Sequence, residues 1–190
     1  MPRILAFAGS TRQESYNKRL VRIAVEGARA AGAEVTLIDL RDYPLPLYDG
    51  DLEEASGLPE NAVKLKQLFL EHQGLMISAP EYNSSITAVL KNTIDWVSRP
   101  APGESSLAAF AGKAAVLMSA SPGALGGLRG LVHVRAILGN INVLVLPEQV
   151  AVPRAAEAFD GAALKDAKQH ASIAGLGRKL TELLRQLRSS

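Results

Sequence analysis

The sequence contains no cysteine among its 190 residues. Disulfide bridges, thiol nucleophiles and thiolate metal sites are therefore excluded, and the absence fits a reducing compartment. The chain also lacks any run approaching the roughly 20 apolar residues that a membrane span requires. The first apolar run, Ile4 to Ala8, stops at Gly9 and is too short for a signal peptide. We expect a cytoplasmic protein without membrane association.

The excess of positive over negative residues is small. Lys and Arg number 21 against 19 Asp and Glu, which leaves a formal net charge of +2. This base excess is too thin for the electrostatic footprint of a nucleic-acid-binding protein. With 47% hydrophobic and 21% charged residues, the chain can bury a full core, which excludes intrinsic disorder. We expect residues 1–190 to form one domain, since single cores run to roughly 100–200 residues.

Several familiar functional motifs are missing. The sequence has no dinucleotide fingerprint of three spaced glycines, no Gly-Lys-Ser/Thr of the Walker loop and no Gly-x-Ser-x-Gly elbow of the serine hydrolases. His72, His133 and His170 are widely separated and have no carboxylate at metal-ligand spacing. Each histidine is therefore expected to be a surface or helix residue, and no metal site is proposed.

Short apolar runs alternate with segments of helical periodicity along the whole chain. Continuous rather than alternating apolar runs are typical of parallel strands that are covered on both faces. The predicted strands are Ile4–Ala8, Val35–Ile38, Leu75–Ala79, Ala114–Ser119 and a fifth centred on Val143–Val145. Helical spacing covers Leu20–Ala31, Ala62–Phe69, Ser85–Ser98, Gly127–Leu138 and Ala162–Leu187, the last with Gly175 and Gly177 as possible interruptions, and 39–58 is predicted to be a long loop. This order predicts an α/β fold with a doubly wound five-stranded parallel sheet in a three-layer αβα arrangement.

In such a sheet, ligands bind beyond the carboxyl ends of the strands, so the loops after strands one, three and four are the candidate site. The first of them, residues 9–17, carries the hydroxyls of Ser10, Thr11 and Ser15, the guanidinium of Arg12 and the amide of Asn17. Together with the unpaired N–H groups of a helix start, these groups suit a phosphate monoester. The alternative is that Ser15 only caps the helix and Arg12 is solvated.

The other two loops suit a flat polar ring. The loop after strand three is Pro80, Glu81, Tyr82, Asn83 and Ser84, in which the tyrosine can lie against an aromatic face and the asparagine can bond to ring carbonyl and imino groups. The loop after strand four runs from Ser119 to Gly127 and includes Gly123 and Gly126, whose missing side chains leave backbone amides open to a bulky ligand. The alternatives are an edge-closing aromatic at Tyr82, a turn residue at Asn83 and a simple tight turn in the fourth loop.

These three loops, together with Leu90-Lys91-Asn92 and Asp95-Trp96, resemble the NADPH-dependent FMN reductase family of flavodoxin-like proteins, which includes chromate, quinone and azo-dye reductases. The resemblance covers residues 3–150. It implies FMN, with its phosphate in the first loop and its ring between the other two, NAD(P)H as co-substrate, and a homodimer or homotetramer. The family usually has Pro-Gly where this chain has Thr87-Ala88, which affects the expected entry into the next helix.

The function expected on these grounds is an FMN-dependent NAD(P)H oxidoreductase. Electrons would pass on to a quinone, an azo compound, a metal oxyanion such as chromate, or free flavin. The flavin carries the chemistry, so no catalytic side chain is assigned. An electron carrier of the flavodoxin type is the alternative, although such carriers tend to be strongly acidic and this chain has a pI near 9.0. A protein that merely binds flavin for regulation is a third interpretation.

Overall fold

The computed structural model describes residues 1–189, with side chains described as far as Leu187. The strands are β1 (Arg3–Ala8), β2 (Glu34–Leu37), β3 (Gly74–Ser78), β4 (Glu81–Tyr82), β5 (Ser85–Ile86), β6 (Ala114–Ala120), β7 (Leu144–Val152), β8 (Phe159–Asp160) and β9 (Ala163–Leu164). The helices are α1 (Tyr16–Ala30), α2 (Gly50–Ser56), α3 (Glu60–Glu71), α4 (Ala88–Val97), α5 (Leu128–Asn140), α6 (Ala155–Ala158) and α7 (Ala167–Ser189).

Five of these strands form one parallel sheet in the order β2-β1-β3-β6-β7. The side chains of β1 explain why its sequence is apolar throughout. Ile4 and Ala6 point into a core shared with α1 and α7, whereas Leu5 and Phe7 point into a second core shared with α3, α4 and α5. Trp96 and Phe69 are fully buried. The expected flavodoxin-like, doubly wound fold is confirmed.

The predicted long loop at 39–58 is partly wrong. It contains a 3-10 turn, Leu40–Asp42, and the helix α2. Each begins with an aspartate side chain that accepts a backbone hydrogen bond, Asp39 from Arg41 N and Asp49 from Asp51 N. Every residue of α2 is exposed or only half-buried, so this helix has no apolar stripe that periodicity could detect.

The last strand is longer than predicted. β7 continues past Pro147 because its pairing with β6 is irregular there: Ala115 lies opposite Val145, whereas Leu117 lies opposite Gln149. The guanidinium of Arg135, on α5, donates to the carbonyls of Val145 at 3.3 Å and Pro147 at 3.4 Å. A proline and an irregularity are tolerated here because β7 is at the edge of the sheet.

The last helix begins later than predicted and is not interrupted. Residues 159–164 form the β8–β9 hairpin, and α7 starts only at Ala167. Of its two glycines, Gly177 lies where α7 crosses α1. A Cβ added to Gly177 would be 2.0 Å from the carbonyl oxygen of Ala24. The backbones of the two helices therefore touch, and Gly177 is required by packing rather than by helix termination.

This contact predicts opposite effects for two neighbouring glycines. Gly175→Ala should raise the free energy of unfolding by up to about 1 kcal/mol, because alanine favours a helix interior and its Cβ would meet only Arg178 Nη2 at 3.5 Å. Gly177→Ala should instead lower the free energy of unfolding by about 1–3 kcal/mol through overpacking. Urea unfolding of both variants tests this. A stabilised Gly177→Ala protein would contradict the close helix crossing.

Within residues 1–189, no helix is both long enough and apolar enough to cross a lipid bilayer.

Candidate functional site

The loops after β1, β3 and β6 meet at the carboxyl edge of the sheet around an open cleft of about 60 Å³. Its lining comes from the first loop (residues 9–17) with the start of α1, from the loop after β3 (residues 80–84, the third-strand loop), and from the loop after β6 (residues 119–127, the fourth-strand loop). The lining residues are Ser10, Arg12, Ser15, Tyr16, Asn17, Pro80, Glu81, Tyr82, Ala120, Ser121 and Pro122. This convergence follows from the parallel sheet, because the ends of neighbouring strands lie at one edge.

The cleft does not include every residue that the sequence pointed to. Those found in its lining are Ser10, Arg12, Ser15, Asn17, Pro80, Glu81 and Tyr82. Thr11 lines a different cavity on the other side of the first loop, and Asn83, Ser84, Ser119, Gly123 and Gly126 are not part of the lining.

The start of α1 has the features of an anion site. Ser15 is the N-cap residue, but its hydroxyl makes no capping hydrogen bond, and the first turn of α1 contains no acidic side chain. Among the described residues, the guanidinium of Arg12 has no carboxylate or hydrogen-bond partner, while Ser10 Oγ accepts from Arg12 N at 3.3 Å. The free N–H groups and positive dipole of the helix start therefore face the cleft beside an unpaired cation. The alternative that Ser15 serves only as a cap is not supported.

Asn17 has a bracing role that its place in the loop did not reveal. Its Nδ2 donates to Ala120 O at 2.8 Å, and its Oδ1 accepts from Ser78 Oγ at 2.8 Å and from Ala120 N at 3.0 Å. The side chain is nearly fully buried. Asn17 thus ties the start of α1 to the ends of β3 and β6, and most of its hydrogen-bonding capacity is spent inside the protein rather than on a ligand.

The third-strand loop is a hairpin. β4 and β5 pair through Glu81 with Ile86 and Tyr82 with Ser85. Asn83 and Ser84 between them have φ angles of 50° and 67°. Two successive left-handed residues are the signature of a type I′ turn, in which asparagine is favoured. The turn explains both residues, and it leaves the Tyr82 side chain at the cleft with 52% of its surface exposed.

Glu81 joins this hairpin to the fourth-strand side of the cleft. Its carboxylate accepts from Arg129 Nη2 at 2.7 Å and from Gly130 N, near the start of α5, at 3.0 Å. Burial by itself would raise the pKa of Glu81, but the Gly130 N–H and the Arg129 guanidinium outweigh it and hold the pKa below its ordinary value. The carboxylate stays ionised at neutral pH, which suits loop structure rather than a general acid.

In the fourth-strand loop, the glycines differ in what they do. Gly126 has φ +63°, and a Cβ there would be 2.6 Å from the Val152 carbonyl carbon, so the fold requires this glycine. Gly127, also at positive φ, would place a Cβ 2.0 Å from Ser119 Oγ. A Cβ on Gly123 would meet only Ser121 Oγ, at 3.6 Å, which leaves open space at this position. The backbone groups of Gly123 are themselves engaged, because its N–H donates to Ser121 Oγ at 3.2 Å and its carbonyl accepts from Arg154 N at 3.2 Å, so what Gly123 offers a ligand is space.

Ser119 is fully buried at the end of β6, facing Gly127 at the start of α5. In the part of the chain with described side chains, its hydroxyl is the one buried side-chain oxygen or nitrogen without a hydrogen-bond partner. Such a group is a donor in reserve for a water or a ligand atom. Its contact with a bound ring stays a prediction.

The entry into α4 forms without the Pro-Gly pair. Thr87 caps the helix by accepting from Leu90 N at 3.2 Å, and its hydroxyl donates to Gly9 O at 2.7 Å, which ties α4 to the first loop. Farther along α4, Asn92 and Trp96 both donate to Pro46 O, each at 2.8 Å. Asn92 and Trp96 therefore fix the segment after β2, whereas Lys91 pairs with Asp95 on the same helix.

Sequence reasoning missed five contributors to the site. Tyr16, Ala120, Ser121 and Pro122 line the cleft, and Arg129 anchors Glu81 from a position 48 residues away. Tyr16 directly follows the N-cap, which is a usable signal, whereas nothing local in the sequence marks Arg129 as the partner of Glu81.

In the described part of the chain, no three His, Cys, Asp or Glu side chains form a cluster suited to a metal. His133 is exposed and contacts Ser85 Oγ at 2.9 Å. The expectation of a surface or helix position is wrong for His72, which is buried just after α3 between Leu68 O at 2.6 Å and Thr36 Oγ1 at 2.8 Å. Burial lowers its pKa, so the imidazole is neutral at pH 7.

Comparison with known proteins identifies the family. The family model for NADPH-dependent FMN reductases matches residues 2–157. An NAD(P)H-dependent FMN reductase of Pseudomonas aeruginosa is 35% identical over 159 residues, covering 83% of this chain and 81% of the relative. A quinone reductase of Escherichia coli is 33% identical over 143 residues, covering 75% of this chain and 72% of the relative.

Solved structures agree on the fold. The flavoenzyme FerB of Paracoccus denitrificans, an NAD(P)H:(acceptor) oxidoreductase, superposes with a TM-score of 0.80 at 23% identity, covering 98% of both chains. An azoreductase of Bacillus anthracis superposes with a TM-score of 0.65 at 19% identity, covering 96% of this chain and 100% of the azoreductase chain. At these identities the likeness concerns the fold.

The match over residues 2–157 confirms the resemblance carried by the loop motifs, together with FMN as cofactor, NAD(P)H as co-substrate and an oxidoreductase activity. The sheet order, the three converging loops and the relatives agree: the chain belongs to the NADPH-dependent FMN reductase family.

Proposed function

We propose that the protein takes electrons from NAD(P)H through bound FMN and delivers them to quinones, as one FMN-binding domain spanning residues 1–190. The observation that carries this proposal is that the start of α1, which suits an anion, and the loops after β3 and β6, which suit a flat ring, meet around one open cleft. Azo compounds, metal oxyanions such as chromate, and free flavin are further acceptors of the same class. Quinones come first because relatives above 30% identity are named quinone reductases.

The residues around the start of α1 fit the phosphate of FMN. Ser10, Arg12 and Ser15 offer hydroxyl and guanidinium donors beside the free N–H groups of the helix, and no acidic side chain in the first turn of α1 opposes an anion. Thr11 lies between Ser10 and Arg12 in the chain and lines the other cavity, so its contact with the phosphate stays a prediction. Asn17 acts as a positioning residue that holds the helix start at the strand ends.

The other two loops would hold the ring. Pro80 and Tyr82 offer apolar and aromatic surface, Asn83 and Ser84 shape the turn, and Glu81 anchors the hairpin to α5. On the opposite side, Gly123 leaves open space, Gly126 sets the path of the loop, and Ser119 keeps an unused hydroxyl behind it. When bound, FMN would accept a hydride from the nicotinamide and pass electrons to the acceptor. These side chains would hold and orient the ring.

A homodimer or homotetramer is part of the proposal. Large apolar side chains next to the site remain exposed, namely Tyr82 on the hairpin, Leu125 in the fourth-strand loop, and Leu128 and Val132 on α5. Surface of this kind is commonly covered by another subunit. Light scattering on the purified protein would measure the subunit number, and a monomer would remove this part of the proposal.

Steady-state oxidation of NAD(P)H with a quinone tests the function directly. An electron carrier or a regulatory flavin binder would not turn over, whereas the proposed enzyme would. FMN released from the purified protein by heat and identified by chromatography provides a second, independent readout.

The kinetic pattern is also predicted. Donor and acceptor are expected to use the same open face in turn, so the nicotinamide product leaves before the acceptor enters. Initial rates against NAD(P)H at several fixed quinone concentrations should therefore give parallel double-reciprocal lines, the pattern of a ping-pong mechanism. Intersecting lines would mean that both substrates bind together and would refute the shared face.

A further inference from the structure

A second cavity of about 230 Å³ lies beside the first loop, on the side away from the flavin cleft. The first loop, the segment after β2 and the helix α4 line it: Thr11, Leu40, Arg41, Tyr43, Pro44, Leu45, Val89, Asn92 and Thr93.

Arg41 is the one charged side chain in this lining. In the described part of the chain its guanidinium has no carboxylate partner, and only its backbone N–H is engaged, by Asp39. The Asp39 carboxylate is itself taken up by Lys18 Nζ at 2.5 Å, and Asp42 lines a separate cavity with Lys18 and Arg22. Arg41 thus offers a positive charge that the fold leaves unneutralised, and the complementary ligand group is an anion.

The rest of the lining is apolar or neutral. Pro44, Leu45 and Val89 provide apolar walls, and the half-buried Tyr43 adds an aromatic ring. The backbone after these walls is held in place, because Asn92 Nδ2 donates to Pro46 O at 2.8 Å while Asn92 Oδ1 accepts from Tyr48 N at 2.8 Å. A preformed apolar pocket with one cation suits a flat ring that carries a phosphate.

Thr11 belongs to the loop that borders both cavities. It lines the second cavity, whereas its chain neighbours Ser10 and Arg12 line the flavin cleft. The two cavities therefore border the same loop.

We propose that the second cavity binds the adenosine end of NADPH, with Arg41 holding its 2′-phosphate, and that Arg41 thereby selects NADPH over NADH. This inference rests on the proposed function, which supplies a dinucleotide whose nicotinamide must reach the flavin cleft. A phosphate on the adenosine ribose is the group that distinguishes the two coenzymes, and a guanidinium is well suited to recognise it.

Calorimetry on the FMN-loaded protein tests the binding site without turnover. Adenosine 2′,5′-bisphosphate should bind more tightly than 5′-AMP, by roughly tenfold to a hundredfold for one charge-assisted contact. Arg41→Ala should abolish this difference, and Arg41→Lys should retain part of it. Arg22→Ala is the matched control, since Arg22 is exposed and lines the neighbouring cavity, and it should leave the difference unchanged.

Kinetics provide the second readout. The ratio of kcat/KM for NADPH to that for NADH should fall about tenfold in Arg41→Ala through a higher KM for NADPH, with FMN content unchanged. Equal affinity of the wild-type protein for the two adenosine ligands, or an unaltered coenzyme ratio in Arg41→Ala, would overturn the inference while the oxidoreductase activity stands. If neither coenzyme is oxidised, the proposed function fails, and the calorimetric contrast still decides whether the cavity recognises a 2′-phosphate.

Discussion

Replacement of Asn17 by alanine is expected to lower the free energy of unfolding by about 2–5 kcal/mol and to strip the protein of FMN. The substitution leaves Ser78 Oγ and both backbone groups of Ala120 without their partner, and all of these are buried at the strand ends. A buried polar group that loses its partner costs about 1–3 kcal/mol. Flavin is lost as well, because the same side chain holds two cleft-forming loops in register with α1.

Urea unfolding and the flavin content of the purified variant measure the two effects. Asn61→Ala is the matched control, since Asn61 makes one exposed hydrogen bond, from its Nδ2 to Pro44 O at 3.0 Å. That variant should lose less than 1 kcal/mol and keep its FMN. An Asn17→Ala protein that unfolds at the wild-type urea concentration with its flavin retained would show that the bridge is dispensable.

Arg12→Ala should weaken FMN roughly tenfold to a hundredfold while leaving stability unchanged. Arg12 is exposed and has no side-chain partner among the described residues, so its removal breaks nothing in the fold. What it removes is the charge-assisted contact to the FMN phosphate. Arg12→Glu should cost more than roughly a hundredfold, because a carboxylate there also repels the phosphate.

Fluorescence titration with FMN and with riboflavin measures this effect. Riboflavin has no phosphate, so its affinity should be the same in the wild-type and Arg12→Ala proteins. Arg29→Ala, at the far end of the same helix, removes an equal charge and should leave both affinities unaltered. If the wild-type protein binds FMN and riboflavin equally well, the first loop does not bind the phosphate.

The two variants separate two roles that the sequence presents alike. Arg12 and Asn17 stand five positions apart in one polar loop, and both suit a phosphate by residue type. The structure turns one toward solvent and buries the other against β3 and β6. Loss of flavin with full stability is therefore expected for Arg12, and loss of both for Asn17.

Much of the fold could be predicted, because it depends on local patterns. β1, β3 and β6 are buried on both faces, so their apolar runs are uninterrupted and stand out in the sequence. The sequence pattern does not predict α2, because this helix buries no face. It does not predict the full length of β7, because a proline such as Pro147 is tolerated only at a sheet edge. Gly177 was mistaken for a possible helix break because its reason is a contact with another helix.

For the site, the sequence by itself determined the parallel sheet, the edge at which a ligand binds, the loops that meet there and, through their motifs, the family. Only the tertiary structure decided what each residue in those loops does. It placed Thr11 in the lining of a second cavity, assigned Gly126 to packing against Val152, and joined Glu81 to Arg129. Periodicity and residue type report on neighbours within a few positions along the chain. The bonds of Asn17 to Ala120 join residues 103 positions apart, and such pairings exist only once the strands have assembled.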